Sequence, residues 1–126
     1  GFAAMQRAIP VAANVIRQAQ ATAGLRLVWG TDAVAGAHGR EVDDLVCRVR
    51  EGGQPATGVL ISATSGGAEA LGLGKEVGTL AKGFRADIIA VSGDPTQRIE
   101  ALRDVKFVMS GGRVRWLEAP ARVTTP

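Results

Sequence analysis

The stretch LRLVWGTDA, from Leu25 to Ala33, joins an apolar run to a polar ending. The run Leu25–Gly30 is apolar nearly throughout, which is typical of a strand buried on both faces, as in a parallel sheet. The interior of a fold does not require a carboxylate after such a strand, yet Gly-Thr-Asp follows it. The stretch therefore predicts a buried strand of an α/β fold, with Asp32 at its carboxyl end as a candidate functional residue.

Helical patterns lie on both sides of this strand. Before it, Pro10 suits a first helical position, and apolar residues then recur at helical spacing until Gly24 ends the predicted helix. After the loop TDAVAGAHG, a second helix is predicted from about Arg40 to the glycines at 52 and 53. Its acids come early and its arginines late, as the helix dipole favours.

The pattern changes from helical to β-rich near Gly74. A third helix is predicted from Pro55 to about Thr64, and GGAEALGL predicts a short fourth. The runs EVGTLAKGFRADIIAVSG and VKFVMSGGRVRW then predict short strands, with Lys82-Gly83 and Gly111-Gly112 as hairpin-type turns. Between these runs, DPTQRIEALRD predicts a turn and a short helix.

Composition excludes several classes of function. The net charge is +3, but the arginines are scattered among acids and form no basic stripe, so we expect no nucleic-acid partner. No stretch reaches the roughly 18–20 apolar residues of a membrane span, so we expect no membrane partner. The single Cys47 excludes a disulfide within the chain and is predicted to be a small core residue.

The order of elements is that of part of a larger fold. The chain has 126 residues, whereas a complete (β/α)₈ barrel needs about 250. A parallel strand also needs neighbours on both sides, which one strand-helix element cannot supply. We therefore expect the chain to be a fragment, and its cellular location is not predicted.

Four segments together resemble a known family. In chain order they are GTDAVAGAHGREVDDL, GQPATGVLISATSGGAEALGL, VGTLAKGFRADIIAVSGDP and VKFVMSGGRV. They resemble the C-terminal part of the metal-dependent amidohydrolase superfamily, above all its imidazolonepropionase-like and Xaa-Pro dipeptidase-like members. Proteins of that family have a (β/α)₈ TIM barrel with divalent metals, usually zinc, at the carboxyl ends of the strands, and a small β-sandwich.

The resemblance implies a division of the chain into three parts. Residues 1–74 would form the terminal strand-helix portion of the barrel, with Leu25–Gly30 as its eighth strand. Residues 75–117 would form part of the β-sandwich, and residues 118–126 a tail. In this arrangement Asp87, in the run ADII, is a structural position of the sandwich, and Asp43 and Asp44 are solvated residues of the second helix.

The resemblance also gives Asp32 a role. The family's aspartate just past the eighth strand contacts the metal, takes a proton from the water that the metal activates, and passes it to the leaving nitrogen. Barrel catalysis does occur at strand carboxyl ends, and activated water needs an adjacent base. From the residues alone, an N-cap or Asx turn is the alternative for Asp32. His38, the only histidine, is a candidate substrate contact, with an ordinary surface-loop histidine as the alternative.

The metal site implied by the resemblance is incomplete in this sequence. The family's His-x-His pair, its bridging lysine and its two further histidines have no match, and a catalytic zinc requires about three protein ligands. The implied function is that of the C-terminal part of a metal-dependent amidohydrolase, which when complete hydrolyses an amide or peptide-like C–N bond of a small amide or dipeptide. The chain alone is expected to be inactive. The alternative is a truncated structural or interaction module, and the expected partner is a second copy or a complementing N-terminal half.

Overall fold

The computed structural model of the protein describes residues 2–33, 35 and 38–119. This part of the chain forms four α-helices, one 3₁₀ helix and three strands. The helices are α1 (Phe2–Ala21), α2 (Glu41–Arg50), α3 (Ala56–Ala63), α4 (Ser65–Ala70) and the 3₁₀ helix (Ile99–Arg103), and the strands are β1 (Ile88–Val91), β2 (Val105–Ser110) and β3 (Arg113–Leu117). None of the described helices is both long enough and apolar enough to cross a membrane.

The predicted helices form, but the first one begins earlier than expected. Helices α2, α3 and α4 confirm the sequence-based predictions, and Pro55 occupies the N-cap position of α3. Helix α1 begins at Phe2 and passes through Pro10, so the prediction that Pro10 starts it was wrong. A proline inside a helix removes one backbone hydrogen bond. Good helix formers, Ala8 and Ala12, lie on either side of Pro10, and the helix continues through it without that bond.

The predicted buried strand Leu25–Gly30 is not formed in the described part of the chain. The segment has no sheet pairing, and both Leu25 and Val28 are exposed. A strand exists through hydrogen bonds to neighbouring strands, and none of the described strands flanks this one. The segment is instead attached to helices, since the Trp29 N–H donates to the Ser62 carbonyl at 3.0 Å.

The strands form one antiparallel sheet in the order β1-β2-β3. Gly111 and Gly112 both have positive φ, 56° and 75°, and form the tight turn between β2 and β3, as predicted. Lys82-Gly83 also lies in a turn, where the Phe84 N–H donates to the Ala81 carbonyl. That turn connects no two described strands, so the expected hairpin there was wrong. The sandwich expected from the resemblance stays a prediction, because the described strands form a single sheet.

A small aliphatic core joins the helices to the sheet. Its buried members are Leu45 and Val46 of α2, Val59 of α3, and Ile99 and Leu102 of the 3₁₀ helix. The partly buried side chains of Trp29 and Val91 pack against this cluster. The segment that precedes Asp32 is thus fixed on the core, although it belongs to no sheet. The predicted domain boundary near residue 74 stays a prediction.

Two ion pairs reinforce the contact between α2 and the 3₁₀ helix. Arg103 lies 2.6 Å from the Asp43 carboxylate, and Arg50 lies 2.5 Å from the Glu100 carboxylate. The hydrogen bond from Arg103 holds the pKa of Asp43 below its usual value. The Asp43 side chain stays partly exposed to solvent, as predicted, and the ion pair with Arg103 is an addition that the sequence did not indicate.

Candidate functional site

The segment that leads to Asp32 is held on two sides through Trp29. On one side, its main-chain N–H donates to the carbonyl of Ser62 at 3.0 Å. Ser62 is only 1% exposed, and its hydroxyl donates to the Val59 carbonyl at 2.7 Å. On the other side, the Trp29 indole Nε1–H donates to Asp44 Oδ2 at 2.6 Å. Helices α3 and α2 therefore both fix the chain just before Asp32.

Asp44 and Arg48, one turn apart on α2, make further contacts to this segment. The two terminal guanidinium nitrogens of Arg48 each approach the Val28 carbonyl at 3.4 Å. The Arg48 Nε lies 3.5 Å from Asp44 Oδ2, and the Arg48 side chain is only 14% exposed. We call Asp44 and Arg48 the α2 clamp. The Asp44 side chain is still 45% exposed, which agrees with its prediction as a solvated residue, and it also accepts a hydrogen bond from a tryptophan packed on the core.

Asp32 itself lies in an unusual backbone conformation. Its φ is +48°, in the left-handed region that few residues other than glycine adopt, and Asp and Asn tolerate this region best. The side chain is exposed. The N-cap alternative is wrong, because Arg40 occupies the N-cap position of α2. An Asx turn would involve residue 34, which lies outside the described residues.

His38 lies in the loop between Asp32 and α2. Its side chain is 72% exposed, and its Nδ1 is 3.7 Å from Glu41 Oε1. The Gly39 N–H donates to the same Glu41 oxygen at 3.0 Å, and this bond is the main reason that the pKa of Glu41 lies below its usual value. Among the described residues, His38 thus lies beside Glu41, and no contact to Asp32 is formed. Its role as a substrate contact stays a prediction.

The described residues do not provide a complete metal site. Within residues 2–33, 35 and 38–119, no three His, Cys, Asp or Glu side chains lie close enough together to hold a metal ion. Cys47 is half-buried, and burial raises the pKa of its thiol, which favours the protonated form over the thiolate that binds metals. Catalytic zinc needs about three protein ligands. Asp32 alone does not meet that requirement, so this donor set does not fit a bound catalytic zinc.

An apolar cleft of about 490 Å³ lies beside the core. Trp29 forms part of its wall, together with side chains of α2, α3, β1 and the 3₁₀ helix. Asp87 also lines the cleft, and its two oxygens accept hydrogen bonds from the Gly111 N–H at 2.7 Å and from Arg85 Nε at 2.6 Å. Asp87 therefore ties the start of β1 to the β2–β3 turn, which is the structural role expected of it.

The fold and the sequence place the chain in a known class of proteins. The amidohydrolase family profile matches residues 6–115, so the chain belongs to the amidohydrolase family. The resemblance to the superfamily, and to its Xaa-Pro dipeptidase-like members, is thereby confirmed.

Three solved structures of similar proteins match the chain. A Xaa-Pro dipeptidase with methionine bound in its active site is 33% identical, and the match covers 81% of this chain and 25% of that chain at a TM-score of 0.75. An amidohydrolase is 26% identical, with 86% and 26% covered at a TM-score of 0.78. A Bifidobacterium longum protein assigned as a prolidase is 30% identical, with 85% and 26% covered at 0.72. The chain thus spans about a quarter of the length of these structures. No curated protein sequence matches the chain at a significant level.

Proposed function

We propose that the chain is the C-terminal part of a metal-dependent amidohydrolase, which when complete hydrolyses an amide or peptide-like C–N bond. The family match over residues 6–115 is the observation that carries this proposal. The structural neighbours named as Xaa-Pro dipeptidase and prolidase support a small amide or dipeptide as the substrate. The match to about a quarter of each solved chain supports a site completed by residues outside this sequence.

In this proposal Asp32 is the catalytic carboxylate. Hydrolysis of an amide adds the oxygen of water to the carbonyl carbon, breaks the C–N bond, and transfers a proton from the water to the leaving nitrogen. One carboxylate can take that proton from the water and then give it to the leaving nitrogen. The exposed side chain of Asp32 and its position past the anchored Trp29 support this role. In the complete enzyme, residues outside this sequence would mainly hold a divalent metal, zinc by the family's usual preference, and Asp32 would contribute one carboxylate to it; such a metal would supply activated water.

The first test replaces Asp32 in the complete enzyme that contains this chain. Asp32→Asn keeps a residue type that tolerates positive φ, so we expect folding stability to change little. Turnover of Xaa-Pro and other dipeptides is expected to fall by about 10²–10⁴-fold, which is the usual contribution of general acid–base catalysis. Asp104→Asn, which removes an exposed carboxylate beside Lys106, is the control and should leave turnover unchanged. Full turnover by Asp32→Asn would refute the catalytic role.

A second test measures the metal content of the chain alone. After dialysis, elemental mass spectrometry for zinc and manganese is expected to find far less than one metal per chain, because the described donor set does not fit a catalytic metal. The same sample is expected to hydrolyse no dipeptide. About one metal per chain would contradict this expectation, and would mean that ligands are assembled by an oligomer or by residues outside those described.

A second candidate function is a non-catalytic structural or interaction module that self-associates. The observation in its favour is the number of large apolar side chains left on the surface. Ile9, Val11 and Val15 of α1 are all exposed, and the apolar cleft is open to solvent. Exposed apolar patches of this kind mark interaction surfaces in soluble proteins.

A further inference from the structure

The α2 clamp connects a helix to the chain segment that presents Asp32. Asp44 accepts the indole N–H of Trp29 at 2.6 Å, and Arg48 reaches the carbonyl of Val28. Both contacts meet consecutive residues of the same segment, one through a side chain and the other through the main chain. Together they restrain this segment a short distance before the left-handed turn at Asp32.

The charges of the clamp are not those of an ordinary surface ion pair. Exposed pairs at this helical spacing contribute little to stability, whereas here one partner is mostly buried: the Arg48 side chain is 14% exposed, while that of Asp44 is 45% exposed. The bond from the Trp29 indole is charge-assisted, because its acceptor is a carboxylate, and such bonds are short and strong. Trp29 also packs against the core cluster, so the clamp fastens a rigid side chain to a rigid helix.

We propose that Asp44 and Arg48 are positioning residues, which hold the Val28–Trp29 backbone and through it the carboxylate of Asp32. This inference rests on the proposed catalytic role of Asp32. A reacting group must be held within a fraction of an ångström of its productive position, and an error of about 1 Å can cost on the order of 100-fold in rate. The clamp supplies this restraint from α2, and the bond to the buried Ser62 supplies it from α3.

The clamp can be tested in the chain alone, without any activity. The chain has two tryptophans, so a Trp116→Phe background leaves a single indole N–H signal, that of Trp29, in an NMR spectrum. We expect Asp44→Ala to accelerate hydrogen exchange of this indole by about tenfold or more and to shift its resonance, because the N–H loses its acceptor. Asp43→Ala, which removes a neighbouring carboxylate bound to Arg103 instead, is the matched control and should leave the signal unchanged.

Equal exchange rates in the parent, Asp44→Ala and Asp43→Ala proteins would overturn the clamp. If Asp44→Ala does not fold, Asp44→Asn replaces it. The amide keeps an acceptor oxygen but not the charge, so a smaller acceleration of exchange is expected. Trp29→Phe, which keeps an aromatic ring and loses the N–H donor, removes this NMR signal, so it tests the same contact only through turnover in the complete enzyme.

The consequence for catalysis is tested in the complete enzyme. We expect Asp44→Ala and Trp29→Phe each to lower kcat by roughly 10- to 100-fold with KM within about twofold, because substrate still binds while the base is misplaced. The kcat of the double variant should be little lower than that of either single variant, because both changes remove the same contact, the hydrogen bond between Trp29 and Asp44. Rates are taken per folded molecule, so a merely structural role would leave kcat unchanged.

The outcomes separate this inference from the proposed function. Loss of turnover in Asp32→Asn together with unchanged kcat in Asp44→Ala and Trp29→Phe would overturn the positioning role alone. Full turnover in Asp32→Asn would instead refute the catalytic role of Asp32 and the positioning role that depends on it. The exchange measurement would still decide whether Asp44 holds Trp29.

Discussion

Asp32 combines a reactive side chain with a backbone conformation that most residues avoid. Its φ of +48° restricts the position in practice to glycine, asparagine and aspartate. Among these three, only aspartate carries a carboxylate that can accept and return a proton. Residues held in such regions often lie at functional sites, which agrees with the proposed role. The sequence indicated the residue through its place after an apolar run, but φ depends on the folded loop and was not predictable.

Asp87 carries a prediction about pH. The hydrogen bond from the Gly111 N–H, followed by that from Arg85, holds the pKa of this carboxyl below its ordinary value. A depressed pKa in the folded state means that the ionised carboxylate stabilises the fold above about pH 4. That contribution is lost as the pH falls through the folded-state pKa. We expect the urea midpoint to drop from about pH 4 downward, and Asp87→Asn to be less stable at neutral pH with a shallower acid dependence.

Urea unfolding at a series of pH values checks this prediction. Asp104→Asn is the control, because it also removes one negative charge, but from a carboxylate that pairs with Lys106 and not with a main-chain N–H. The amide of Asp87→Asn keeps an acceptor oxygen for the Gly111 N–H, so if this variant follows the parent protein across the whole pH range, the negative charge of Asp87 does not stabilise the fold.

At the scale of elements, local signals predicted local structure. Helices α2 to α4 follow from apolar spacing, and the β2–β3 hairpin follows from the pair Gly111-Gly112, because these signals act within a few residues. Local signals could not show whether Leu25–Gly30 forms a strand, because a strand needs hydrogen bonds to neighbouring strands that are distant in the sequence. The α2 clamp was missed for the same reason. The spacing of Asp44 and Arg48 is visible in the sequence, but their contacts to Val28 and Trp29 are tertiary.

Two glycines near the helices are expected to respond in opposite ways to alanine. At Gly52 an added Cβ would lie 2.7 Å from the Arg48 carbonyl oxygen and 2.9 Å from the Ile16 side chain, so α1 would be pushed away from α2. We expect Gly52→Ala to cost about 1–3 kcal/mol, as overpacking does. At Gly58, inside α3, the nearest atom would be 3.7 Å away, and alanine should stabilise the helix by about 0.5–1 kcal/mol.

Chemical denaturation of both variants checks this pair of predictions. The two changes add the same methyl group, so each is the control for the other. Equal effects of one sign would mean that the close approach of α1 and α2 at Gly52 does not determine stability.

For the whole molecule, the main feature is apolar surface that the described residues leave uncovered. Val11 is 66% exposed on α1, and Leu80 is 80% exposed beside the cleft. Unpaired sheet edges and apolar faces are commonly covered by a second copy or by another chain. The chain spans about a quarter of the solved structures that it resembles, and in the proposed function residues outside this sequence would cover part of this surface. From the sequence, we could predict only that one strand would lack neighbouring strands. The exposed apolar residues of α1 and of the cleft were not predicted.

We predict that the chain alone forms a dimer or larger oligomer. Size-exclusion chromatography with light scattering measures its molar mass directly, and Val11→Lys is expected to shift the population toward monomer if α1 contributes to the contact. Gln18→Lys places the same charge at an already polar, exposed position of α1, so it is the control. A monodisperse monomer across the concentration range would contradict self-association.

The attachment of α1 to α2 affects which substitutions this sequence can accept during evolution. Arg17 and Gln20 of α1 both donate to main-chain carbonyls at the end of α2, those of Glu51 and Gly52. Every amino acid presents the same carbonyl, so a change of side chain at position 51 leaves the acceptor in place. The donors at positions 17 and 20 have no such freedom, and neither does the glycine at position 52. We therefore expect position 51 to accept many side chains, position 52 to accept little besides glycine, and substitutions of Arg17 or Gln20 to lose one bond each.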